Sequence, residues 1–184
     1  MNLSGKDWWR ANQGRYPNSR SVEDLEPTFQ SNVIKFINML KEGGAKVTVT
    51  STRRNEIRAY LMHYSWRIAN EELDPQAVPL KKGVDISWNH GSIEVSRKGA
   101  KEMVNLFGIA FRPSLTSNHI KGLAIDMNIT WIGNLSIGPL PGLGYMEIQG
   151  PKDGAKNREL HEVGLRLGVR KLLKDPPHWS SNGR

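Results

Sequence analysis

The chain contains no cysteine. That absence removes disulfides, thiolate metal sites and a cysteine nucleophile together, so any metal must be held by imidazole and carboxylate. No apolar run approaches the roughly 20 residues that cross a bilayer, which predicts no membrane span. The opening Met-Asn-Leu-Ser-Gly-Lys-Asp-Trp-Trp-Arg also lacks the apolar stretch of an export signal. Neither a Gly-x-Ser-x-Gly elbow nor a phosphate-binding glycine-rich loop is present, which argues against serine hydrolases and nucleotide enzymes. Acidic residues are outnumbered, 18 against 26 lysines and arginines, for a net charge of +8. Such a balance favours an anionic partner: nucleic acid, or a bacterial wall bearing carboxylates and phosphates. The basic residues are scattered, in doublets such as Arg53-Arg54 and Lys81-Lys82 rather than in runs, so charge alone does not choose between them.

What is present is the composition of an ordinary soluble globular protein, 38% apolar and 24% charged. A length of 184 residues suits one domain. Residues 1–28 are polar apart from Trp8 and Trp9 and read as an irregular arm tied down by those indoles, leaving residues 29–184 as the domain. Val33, Phe36, Ile37 and Leu40 recur at helical spacing until Gly43-Gly44, and Lys46 to Thr50 then alternates as a strand. Ile57, Tyr60, Leu61, Tyr64 and Ile68 form a second helical stripe, and Ser96 is a candidate cap for a third helix carrying Met103, Leu106 and Phe107. Leu123, Ile125, Met127 and Ile129 alternate strictly with Ala124, Asp126 and Asn128, so Asp126 points away from the apolar row. Residues 133–154 are dense in Gly and Pro, as in lids, hairpins or long loops. Leu160, Val163 and Leu167 mark a last amphipathic stretch. The expected fold class is α+β, a small antiparallel sheet with ligands on one face and helices packed on the other.

The informative segment is Ser117-Asn-His119-Ile-Lys-Gly122-Leu-Ala124-Ile-Asp126. A histidine before a glycine turn and an aspartate on the polar face of the following strand can converge in front of the sheet as two metal ligands. Catalytic zinc uses three protein ligands and keeps a position open for water, and His178 is the third candidate. Asp175 stands three residues before it in Asp-Pro-Pro-His, where the prolines stiffen the link. Zinc lowers the pKa of its water toward about 7, and a nearby carboxylate can take the proton during attack on a carbonyl and pass it to the leaving amine. That is metal-assisted peptide hydrolysis with Asp175 as general base.

These residues resemble the zinc D-alanyl-D-alanine carboxypeptidase family, which includes the vancomycin-resistance dipeptidases and the L-alanyl-D-glutamate endolysins of phages. The family motif Ser-x-His-x-x-Gly-x-Ala-x-Asp is matched at every fixed position from Ser117 to Asp126; a chance match is on the order of one in ten thousand. Asp175-Pro-Pro-His178-Trp179 is similar to the second motif in its aspartate form, which belongs to the endolysin branch; many carboxypeptidases have glutamate there. Thr50 to Tyr60 resembles the family's strand-to-helix passage, without the tyrosine that often precedes its arginine. The resemblance, over about residues 45 to 180, implies that His119, Asp126 and His178 bind Zn2+. It also implies that Arg53, or Arg54 in its place, stabilises the substrate carbonyl, and that Ser117 binds substrate. The implied reaction is hydrolysis of peptide bonds in peptidoglycan stem peptides, as a carboxypeptidase or an endopeptidase.

No nucleic-acid partner is expected on this reading. The protein would be made in the bacterial or phage-infected cytoplasm and reach the periplasm or wall by another route. The rival reading is a non-catalytic wall-binding or structural module with a disused zinc site. His161-Glu162 does not open a His-Glu-x-x-His helix, because position 165 is Leu. His63 reads as core or rim and His90 as a turn residue. Trp88, Trp131 and Trp179 suit a substrate groove or a packed core equally.

Overall fold

The computed structural model describes residues 2–140 and 142–184. Met1, in the expected arm, and Pro141, in the Gly/Pro-rich segment, lie outside the described residues. The fold is α+β, and the chain divides into two compact units: residues 1–18 with 54–117, and residues 19–53 with 118–184.

The first unit is helical, built from α1 (Lys6–Asn12), α3 (Glu56–Ala69) and α4 (Ile93–Phe107). The sequence suggests an irregular arm at Trp8 and Trp9; both indoles are buried, but on a helix too short to show a period. Asn55 caps α3 by accepting from the amides of Ile57 and Arg58, 2.8 and 3.2 Å away. The third helix begins one turn before the expected Ser96 cap, with Ser92 at its boundary. Ser96 is instead buried inside the helix, where its hydroxyl donates to the Ser92 carbonyl at 2.8 Å and accepts from the His90 amide at 3.0 Å. Tyr60, Leu61, Tyr64 and Ile68, the expected stripe, pack with Trp9, Trp88 and Met103 in an aromatic core.

The second unit carries the sheet. Helix α2 (Pro27–Glu42) starts with proline at its first position, and the Glu26 side chain accepts from the Phe29 amide. Four strands run in the order β1 (Lys46–Ser51), β2 (Ala124–Thr130), β6 (His178–Ser180) and β5 (Arg170–Lys171), all antiparallel. The Gly/Pro-rich segment forms a separate hairpin, β3 (Leu135–Leu140) and β4 (Gly144–Ile148), whose Leu135, Ile137 and Ile148 are buried. Ile125, Met127 and Ile129 of β2 share one buried cluster with Phe29, Val33, Phe36 and Leu40 of α2 and with Leu160 and Val163 of α5 (Arg158–Arg166). Burying such side chains, at about 1.5–3 kcal/mol each, is what holds the unit together. Trp179 of β6 is fully buried in the same cluster, its ring centroid 5.3 Å from that of Phe36, and Trp88 and Trp131 are also buried, so core packing accounts for all three indoles. Because side chains alternate along a strand, the neighbours of these apolar residues, Asp126 and His178, lie on the opposite face.

Candidate metal centre

Strand register makes the site. Asp126 of β2 is the direct cross-strand partner of His178 of β6, and Ala124 is that of Ser180. Directly opposed residues project to the same face about 4.5–5.5 Å apart at Cβ, close enough for their side chains to meet. On the other side of Asp126, β1 has an irregularity between Val49 and Ser51 that brings Ser51 opposite Asp126. The next carbonyl, that of Thr52, faces His119.

The spaced residues of the His119–Asp126 segment each have a local physical role. The carbonyl of Asn118 accepts from the amides of Lys121 and Leu123, and that of His119 accepts from Gly122, winding the chain into a tight turn before β2. Gly122 has φ +71°, and a Cβ there would lie 2.9 Å from the Glu26 amide nitrogen, so only glycine fits. Ala124 is completely buried. The turn delivers His119, 3% exposed, onto the face that carries Asp126 and His178.

The three ligand atoms form a small triangle. His119 Nε2 lies 3.1 Å from Asp126 Oδ1 and 3.2 Å from His178 Nδ1, and His178 Nδ1 lies 3.0 Å from the same oxygen. Each imidazole is held from behind: His119 Nδ1 donates to the Thr52 carbonyl at 2.6 Å, and His178 Nε2 donates to the main-chain oxygen of Arg184 at 3.1 Å. With a proton on each outer nitrogen, a neutral ring turns a bare lone pair toward the carboxylate. Three lone-pair atoms so close repel one another unless a cation lies between them.

The spacings are within a few tenths of an ångström of the roughly 3.3 Å between corners of a tetrahedron with bonds of about 2.0 Å. His119, Asp126 and His178 thus form a group that can hold a metal ion. Burial by itself would raise the pKa of Asp126. In the metal-free site, where the rings can instead carry protons on their inner nitrogens, hydrogen bonds and charge from His119 and His178 outweigh it and hold the carboxyl well below the usual carboxylate range. Asp126 is therefore kept in the anionic form that ligation requires.

The other residues singled out in the sequence have their own local settings. Asp175 is exposed on the turn between β5 and β6, where its amide donates to the Leu172 carbonyl at 3.2 Å and its carbonyl accepts from the His178 amide at 3.1 Å. Arg53 is exposed directly after Thr52, and its carbonyl accepts from the Ser19 amide. Arg54, half-buried, belongs to the helical unit, where its Nε donates to Asn18 Oδ1 at 3.4 Å. Ser117, half-buried, is the last residue of that unit, two positions before His119. His161 donates through Nε2 to the Gly154 carbonyl at 3.0 Å and packs edge-on against Trp179.

Sequence reasoning missed Lys171. Its ammonium donates to the carbonyls of Leu172, Asp175 and His178 at 2.6, 2.5 and 3.0 Å, gathering the turn that bears Asp175. Burial pulls this amine down to about 8 against the opposing attraction of Asp175 and Asp126. The Thr52 hydroxyl, also missed, is buried and has no hydrogen-bond partner among the described residues. The chain matches no protein-family profile, no curated protein and no solved structure.

Proposed function

We propose that the chain is a zinc-dependent peptidase acting on the stem peptides of peptidoglycan, as a D,D-carboxypeptidase or an endolysin-like endopeptidase. The observation that carries this reading is the triangle of His119, Asp126 and His178, whose inner atoms lie 3.0–3.2 Å apart with both outer imidazole nitrogens already bound. Two imidazoles and one carboxylate suit zinc, and three protein ligands are the number found in catalytic sites. The zinc D-alanyl-D-alanine carboxypeptidases, which this chain resembles from Ser117 to Asp126 and again from Asp175 to Trp179, use such a set on wall peptides. A net charge of +8 favours a wall rich in carboxylates and phosphates.

When bound, zinc supplies a Lewis acid that polarises the scissile carbonyl and acidifies water. Asp175 takes a proton from the water that adds to the carbonyl carbon and returns it to the amine nitrogen as the C–N bond breaks. Its place on a turn closed by Pro176, Pro177 and the Lys171 ammonium limits where that carboxylate can travel. Arg53 balances negative charge growing on the carbonyl oxygen, and Ser117 orients the peptide.

The test is digestion of purified peptidoglycan by zinc-loaded protein, with products identified by mass spectrometry. The expected result is release of peptides or D-alanine cut at a bond next to a D-residue, falling about 10²–10⁴-fold in Asp175→Ala. Undiminished cleavage by that variant removes Asp175 as the base. Binding of wild type to peptidoglycan without cleavage gives the wall-binding module instead.

A further inference from the structure

The main-chain oxygen of Arg184 accepts three hydrogen bonds: from His178 Nε2 at 3.1 Å, from Ser180 Oγ at 3.0 Å and from Asn118 Nδ2 at 2.8 Å. The last residues fold back as a hook. Gly183 turns with φ +77°, and its amide and that of Arg184 donate to Ser180 Oγ at 2.9 and 3.0 Å. The second N–H of the Asn118 amide goes to Asn182 Oδ1 at 2.7 Å, so that one side chain spends both its donors on the hook. Ser180 is completely buried. Asn118 directly precedes His119, and its own carbonyl closes the turn that delivers that ligand. Three of these bonds meet on the acceptor facing the outer nitrogen of His178, and the others brace the turn that carries it.

We infer that Asn118 and Ser180 are positioning residues of the metal centre. They hold the Arg184 oxygen against His178 Nε2, which keeps the ring proton on that nitrogen and leaves the Nδ1 lone pair facing His119 and Asp126. Outer partners of this kind fix the tautomer and orientation of a ligating imidazole. The inference rests on the metal-site reading and deepens it: Asn118 ties the two histidine ligands together, one through its main chain and the other through its side chain.

The experiment compares wild type with Asn118→Ala, Ser180→Ala and the double variant in the full chain. Zinc affinity is measured by chelator competition, and nitrogen-15 NMR of the metal-free protein reads which nitrogen of His178 bears the proton. Wild type is expected to bind one zinc with the His178 proton on Nε2. The double variant is expected to lose about 10–100-fold in zinc affinity and to populate the Nδ1–H tautomer, with each single variant between. Wild type that binds no zinc overturns the metal reading and this inference with it. Variants that bind zinc as wild type does, or that lose affinity with the His178 proton still on Nε2, overturn the positioning role and leave the metal reading standing. Should the double variant not fold, the single variants, which each remove one side chain from the hook, decide by the same readouts.

Discussion

The helical unit and the metal centre of the sheet unit hold their histidines differently. In the helical unit, His63 donates through Nδ1 to the Pro113 carbonyl at 2.8 Å, and His90 pairs through Nε2 with the Ser4 hydroxyl at 2.9 Å. Each ring is bound at one nitrogen among the described residues. In the sheet unit, His119 and His178 are bound at both nitrogens, with a carbonyl behind and a shared carboxylate in front. Burial accompanies the difference, since His119 and His178 are buried and His63 and His90 only half-buried, but burial does not itself supply a ligand atom. The second nitrogen does, because a ring whose outer proton is already committed has only a lone pair left to offer.

The strongest way to break that contrast is to remove the shared carboxylate. Asp126→Asn keeps the shape and deletes the charge, and calorimetric titration should show zinc affinity reduced by more than the roughly 100-fold upper range of outer-shell losses. His90→Gln should leave that affinity unchanged. Equal losses in the two variants would mean that the sheet unit is not special.

Core truncations sharpen the comparison at a smaller scale. Phe36→Ala, beneath Trp179, should cost about 3–5 kcal/mol in denaturant unfolding, and Leu61→Ala in the helical unit about 2–5 kcal/mol. Only the first should also weaken zinc binding, since Trp179 is the strand neighbour of His178. Weakening by Leu61→Ala to the same degree would deny the units separate roles.

The smallest effect is in pH. Burial lowers the pKa of both His161 and His90, outweighing the hydrogen bond to Gly154 in one and the charge of Glu102 in the other. A histidine whose folded pKa is below its unfolded value of about 6.5 binds fewer protons when folded. Its contribution is whole above about pH 6.5 and is lost as pH falls through the folded value. His161→Gln and His90→Gln should each make the decline of metal-free stability below pH 6.5 slightly shallower. Asp126, lowered as well, adds its own loss only below about pH 3.9. A decline unchanged in both histidine variants would show that neither ring is held neutral by the fold.

Much of the sheet unit was legible because its signals are periodic. Val33, Phe36, Ile37 and Leu40 marked α2, and the strict alternation from Leu123 to Ile129 both marked β2 and set Asp126 apart from the apolar row. The ligand set was legible because glycine, alanine and the ligands are each required by the turn and the strand. Helix α1 was not, since 7 residues complete barely two turns and show no period. The division into two units left no mark because each is assembled from separate stretches of chain, with no change of composition where one gives way to the other. The hook and the Thr52 carbonyl were invisible for a deeper reason: they act through main-chain oxygens, which every residue possesses.

The pairing of Asp126 with His178 has a consequence for how such a chain can change over time. Insertion or deletion of one residue within β2 or β6 would invert one part of that strand against the other, putting either a ligand or its apolar neighbours on the wrong face. Changes of two residues preserve the parity. Descendants of this sequence should therefore vary these strands by even steps and keep their odd steps for the connections, so that the site is inherited as a phase as much as a set of amino acids.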